Sequence, residues 1–270
     1  MSTFTGWPEA AVAFYRGLEA DNSKAYWTEH KHVYDEAVLA PMQALLGELG
    51  DEFGEGKIFR PNRDIRFSAD KSPYKTAIGA LLGRGYVQFS AEGIGVGAGC
   101  HTMAPDQLER YRIAVADNAK GEELLSVIAA LADAGIGIAT HDHLKSAPRG
   151  YSKEHPRVEL LRNKDLAAWK QWPASEPWLH SAAAKDHIVG ALRASQPLVE
   201  WLDANVGDSA LERRLISGRC TSAARWSARA RSTRACSRCT RQNPLRRVRD
   251  PGRPRETRRR APRSCLAAGC

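Results

Sequence analysis

Sixteen consecutive residues hold the densest chemistry in this chain: Arg60-Pro-Asn-Arg63-Asp64-Ile-Arg66-Phe67-Ser-Ala-Asp-Lys71-Ser-Pro73-Tyr74-Lys75. Five cations, two carboxylates and two aromatic rings fall inside this stretch. A guanidinium donates as a planar fork, and an ammonium acts as a mobile point charge; both are suited to phosphate or carboxylate. Arg60, Arg66, Lys71, Lys75 and Tyr74 are therefore read as ligand-binding. Asp64 is placed to orient an arginine or to act as a general base. Arg63, Phe67 and Pro73 are read as structural. The competing reading is an ion network that fixes the backbone and binds nothing.

A second cluster precedes it. Lys24, Trp27, Lys31 and Tyr34 form one helical stripe, with Asn22 and Ser23 at the positive end of that helix. Asn22, Lys24 and Lys31 join the ligand-binding set, against the alternative of a solvated stripe whose Trp packs sideways. The histidines His141, His143, His155 and His101 are read as loop-capping, and no metal site is assigned. Cys100 is read as a small buried side chain. Residues 93–100 alternate glycine with Ile94, Val96, Ala98 and Cys100. One face of that strand thus carries no side chains, which marks close approach of a backbone or a ligand. The pattern is not a dinucleotide fingerprint, because no Gly-x-Gly-x-x-Gly opens a helix.

The elements that must position these residues follow from periodicity. Ala11, Phe14, Tyr15 and Leu18 line a first helix near Pro8. A second helix spans about 24–50, capped by Ser23 and interrupted at Pro41. Residues 58–68 read as a strand with Arg60, Asp64 and Arg66 on one face, about 6.5–7 Å apart, and Arg63 and Phe67 on the other. Further strands are expected at 86–91, 93–100, 136–140 and 158–161, and helices from Pro105, at 121–134 and at 184–204. The order predicts an α+β fold with a mainly antiparallel sheet flanked by helices, two of them N-terminal.

Composition divides the chain. Residues 217–270 hold sixteen Arg, no Lys and only Asp250 and Glu256 as acids, a balance of +14. The whole chain carries +9, which leaves −5 for residues 1–216. With almost no apolar content, such a tail cannot offset its chain entropy and is expected to be disordered. The same composition arises when a GC-rich gene is read out of frame, so a frameshift product and a genuine basic arm both remain open. The organisation expected is a domain at 1–207 and a tail at 208–270. Cys236-Ser-Arg-Cys239 has no second pair at zinc-ligand spacing. The N-terminus lacks the features of a signal peptide, no apolar run is long enough to span a membrane, and the body has one cysteine; a cytoplasmic location is expected.

The pattern Arg-x-x-Arg-Asp-x-Arg-Phe-x-x-x-Lys-x-Pro-Tyr resembles the signature of a bacterial family, the domain of unknown function 2461. Arg60, Arg63, Asp64, Arg66, Phe67, Lys71, Pro73 and Tyr74 fill every fixed position. Phe4, Gly6, Asn22, Lys24, Trp27, Tyr34, Gly97, Gly99, Leu108 and Arg112 extend the resemblance, which covers about residues 4–207. A softer match lies in Leu144, Lys145, Pro148, Gly150, Tyr151, His155 and Pro156. The resemblance implies a domain without an assigned activity or cofactor.

The residues favour a cytoplasmic domain that binds an anionic small molecule in a cationic pocket; whether it is also an enzyme stays open. Two alternatives compete: a nucleic-acid module and a structural or interaction protein. The acidic body disfavours broad phosphate-backbone contact, while the tail, if genuine, would bind polyanions nonspecifically. Oligomeric state is left open.

Overall fold

The computed structural model describes residues 3–66 and 69–211. Phe67 and the expected disorder of the tail lie outside the described residues.

Pro8 caps helix α1 (Glu9–Ala20) in extended conformation, and the predicted stripe Ala11, Phe14, Tyr15 and Leu18 is buried. Ser23 caps α2 (Lys24–Val33) by accepting the Tyr26 N–H at 3.2 Å. The expected break at Pro41 takes the form of a π-helical turn, Tyr34–Leu39, just before α3 (Ala40–Phe53). Proline at the start of α3 costs no ordinary helical hydrogen bond there.

The strands are β1 (Gly56–Ile58), β2 (Ala77–Leu82), β3 (Gly85–Ser90), β4 (Gly93–Cys100), β5 (Gly137–Ala139) and β6 (Leu166–Pro173). They form one antiparallel sheet in the order β1-β2-β3-β4-β6-β5. Helices α4 (Pro105–Ala116), α5 (Asn118–Asp133) and α6 (Val158–Arg162) lie between β4 and β6 in sequence; α7 (Ala183–Ala194) and α8 (Gln196–Asn205) follow. The fold is α+β with the antiparallel sheet expected.

Several boundaries differ from expectation. The strand predicted over 58–68 ends at Ile58, because the chain leaves the sheet there. Residues 158–161 are helical in α6, a segment too short for periodicity to decide between the two states. The interior strand β6 was hidden by Ala167, Ala168 and Lys170, which blunt its alternation. The helix expected over 184–204 breaks at Ser195, before Pro197.

Ile78, Ala80, Leu82, Val87, Phe89, Ile94, Val96, Leu166 and Ala168 are buried along one face of the sheet. Two clusters cover that face. Phe4, Trp7, Tyr15, Leu18, Met42, Leu45 and Ile188 belong to the first, and Tyr111, Val115, Leu124, Leu198 and Trp201 to the second. The opposite face carries Gly79, Tyr86, Gln88, Gly95, Gly97 and Trp169. Among the described residues, no helix is long and apolar enough to cross a membrane.

Residues 208–211, expected in the tail, are bonded to the body. Ser209 is buried, and its hydroxyl donates to Asp106 at 2.8 Å. The Ala210 N–H donates to the same carboxylate at 2.9 Å. These bonds tie residues 209 and 210 to α4, past the boundary expected at residue 207.

Candidate functional site

The signature is a loop pinned at its neck. The Phe59 N–H donates to the Gly79 carbonyl at 2.9 Å, continuing the β1–β2 pairing by one bond. Asn62 and Tyr74 then form an isolated bridge, with Arg63 N–H on the Pro73 carbonyl at 2.9 Å and Lys75 N–H on the Pro61 carbonyl at 2.8 Å.

Helix α2 holds this neck. Asn22 Nδ2 donates to the Tyr74 carbonyl at 3.0 Å, and the Tyr74 N–H donates to Asn22 Oδ1 at 3.1 Å. The Tyr74 ring stacks on Trp27, with centroids 4.3 Å apart and planes 9° from parallel. Trp27 in turn packs against Tyr34. Asn22, Trp27, Tyr34 and Tyr74 thus form one anchor. Burial is the main cause of the raised Tyr34 hydroxyl pKa, pushed up to about 12.

Within the loop, exposure alternates as a strand's would, although no ladder forms. Arg60, Asp64 and Arg66 are exposed, and Arg63 is half-buried. Arg66 grips Asp64 through Nε at 2.9 Å and Nη2 at 2.6 Å, which lowers the Asp64 pKa. Lys71 Nζ donates to the Ile65 carbonyl at 3.0 Å. Arg63 pairs with Asp70, and that bond is the largest cause holding the Asp70 carboxyl below the usual carboxylate range; Ser72 adds to it through its hydroxyl and N–H.

A cavity of about 570 Å³ opens between this loop and the sheet. Arg63, Lys75, Asn22 and Tyr74 line it, together with Glu19 and Asp70. Lys75 Nζ stands 5.3 Å from the centroid of Phe59, a cation–π contact. Arg60, Asp64, Arg66, Lys71, Lys24 and Lys31 are not among its lining residues. Lys31 pairs with Asp35, and Lys24 is exposed on α2. Among the described residues, Arg60, Arg66 and the Lys24–Lys31 stripe do not share the lining of this cavity. Arg60, Asp64 and Arg66 are exposed, and among the described residues the cations lining the cavity are Arg63 and Lys75.

A second cavity, of about 720 Å³, continues along the open face of the sheet. The two share Phe59, Tyr86 and Gln88 as lining. Tyr86 donates to Gln88 at 3.0 Å, and its ring lies 6.2 Å from that of Trp169. Burial raises the Tyr86 pKa. The bare glycine face of β4 has two occupants. A methyl group at Gly95 or Gly97 would collide with the Trp169 indole, while one at Gly93 or Gly99 would strike the backbone of β6 or its end. The close approach read from sequence is thus a backbone at two positions and an indole at two others. Tyr86, Trp169 and Phe59 were not singled out, because their role depends on the strand pairing.

At the far end of the second cavity lie His101 and His141, with rings stacked 4.2 Å apart. The His141 N–H donates to Asp165 Oδ2 at 2.7 Å, and His141 Nδ1 lies 3.2 Å from the same oxygen. His143 instead bridges to Asn163, and His155 Nδ1 accepts the Arg157 N–H at 3.1 Å. Cys100 is half-buried, its thiol donating to the Thr102 carbonyl at 3.3 Å.

Over residues 10–201 the chain matches the family described as Conserved hypothetical protein (DUF2461). No curated protein and no solved structure matches it. The family match spans the signature loop, its anchor on α2 and every strand of the sheet, and the chain belongs to the DUF2461 family.

Proposed function

We propose that the open face of the sheet binds a small molecule bearing a carboxylate or phosphate and a flat apolar part. The anion lies at Arg63 and Lys75, and the flat part lies over Phe59, Tyr86 and Trp169. The observation that carries this reading is the continuity of the two cavities through Phe59, Tyr86 and Gln88. Concave, partly apolar surfaces with a few convergent polar groups are where small ligands bind. One Arg63 nitrogen serves Asp70, and the guanidinium carries further donors for a ligand anion. Glu19 and Asp70 balance the two cations, so the cavity suits an anion that also carries a hydroxyl or amine. Asp64 stands outside the lining and is given no chemistry.

The test is a thermal-shift screen of the full chain with inorganic phosphate, nucleoside monophosphates and aromatic carboxylates. A ligand at a hundredfold excess over its dissociation constant stabilises by about 2.7 kcal/mol. Arg63→Ala and Lys75→Ala should each abolish the shift, and Arg66→Ala should leave it intact. Loss on Arg66→Ala alone would reverse the assignment.

One observation favours the architectural alternative. Arg63, Arg66 and Lys71 each already hold an oxygen of the loop itself. On that reading no anion shifts the melting temperature, and Arg63→Ala lowers it.

A further inference from the structure

The register of the sheet delivers three ligand-type side chains to one row. Cys100 pairs with Leu166 across β4 and β6, and Ala139 pairs with Ala167 across β5 and β6. Continuing each ladder past its last pair sets His101 and His141 on either side of Asp165. All three fall on the side of the sheet that carries Gly99, Ala139 and Ala167, the open face. The potential ligand atoms lie within 4.8 Å of one another.

Two further observations point to a cation at this row. Asp165 is 2 % exposed, yet its Oδ1 has no hydrogen-bond partner among the described residues. A buried carboxylate oxygen left this way is costly, and a bound cation satisfies it. An Asp165 that merely oriented His141 would not account for the second imidazole, which lies parallel to the first within 14°. Histidine is also exposed here on both sides of the carboxylate, so metal and solvent can reach it.

We propose that His101, His141 and Asp165 bind a divalent first-row transition metal at the end of the groove. Two imidazoles and one carboxylate match zinc, iron(II), cobalt and manganese, whereas calcium and magnesium favour oxygen-only sets. Ligand bonds of about 2.1 Å require ligand atoms about 3–3.5 Å apart, so the set must contract, with exposed His101 swinging inward. Asp165 serves through Oδ1, while its Oδ2 keeps the His141 backbone N–H and orients the His141 ring. Three protein ligands leave a coordination position open, and His101 and His141 line the groove, so that position faces a bound small molecule or water. The proposal stands apart from the anion reading, because the metal alone is the probe.

The experiment is a Co²⁺ titration of the full chain, read by visible d–d absorption. The expected result is a cobalt d–d absorption of a histidine–carboxylate site, separate from any thiolate-to-cobalt charge-transfer band of the tail cysteines. His101→Ala and His141→Ala should each weaken affinity about tenfold or more. Circular dichroism of His101→Ala checks folding, since that residue is exposed and its loss removes no core packing. Any tail cysteine binding is common to wild type and variants and cancels in the comparison. Equal affinity in the His101→Ala/His141→Ala double variant would overturn the proposal, as would a purely thiolate spectrum or no cobalt spectrum at all.

Discussion

Asn22 exchanges two hydrogen bonds with the backbone of Tyr74, fifty-two residues away in sequence. Its amide fills the place a neighbouring strand would take at the neck of the signature loop. Asn22→Ala should cost about 1–3 kcal/mol, because a half-buried donor and acceptor are both left unpaired. Lys24→Ala, exposed at the start of α2, should change stability by less than about 0.5 kcal/mol. Urea denaturation of the two variants checks both values. Sequence spacing did show that Arg60, Asp64 and Arg66 share a side and that Arg63 opposes them. Which side faces inward was not legible. It depends on Asp70 returning to Arg63 across the loop, and a period-two pattern holds no trace of that return.

The pairing of β4 with β6 shows what an element adds to its residues. Four alternating glycines announced a surface without side chains, and that much was readable. Their occupant was not, since Trp169 lies in a strand whose alanines and lysine conceal its alternation. Gly95→Ala should destabilise by about 1–3 kcal/mol through overpacking against the indole. Combined with Trp169→Ala, the two losses should sum to less than additive, because the second substitution removes the collision created by the first. A double-mutant cycle by chemical denaturation measures that coupling; simple additivity would place the indole elsewhere. The helices were read more reliably than the strands, because their apolar faces repeat over three or four turns, whereas β1 and β5 have three residues each.

For the molecule as a whole, the decisive question is where it ends. A chain stopping at Leu211 should melt with the full-length protein. One stopping at Gly207 should melt several degrees lower, having lost the Ser209 and Ala210 bonds to Asp106. Burial pushes the Asp106 carboxyl up, but the Ser209 hydroxyl, the Ala210 N–H and Arg110 outweigh it and hold the pKa at about 2. A carboxyl lowered by folding stabilises fully above its unfolded value of about 4 and loses that contribution as pH falls toward its folded value. The melting-temperature gap between wild type and Asp106→Asn should therefore be widest near neutral pH. It should narrow between about pH 4 and about pH 2. Composition marked the change of character along the chain but not this boundary, which rests on a few hydrogen bonds to α4.

The first of the two clusters beneath the sheet is collected from distant parts of the chain. Phe4 through Val96 supply most of it, and Leu179, Ala184, Ile188, Ala191 and Leu192 supply the remainder. During synthesis the first group leaves the ribosome 96 residues ahead of Leu192. At about 5–20 residues per second, that delay is roughly 5–20 s. Throughout it, the nascent chain displays apolar side chains that nothing yet covers, and β4 presents an outer edge awaiting β6. A chain released early would carry that adhesive surface permanently, which makes premature termination between β4 and α7 a route to aggregation and a natural occasion for chaperone capture.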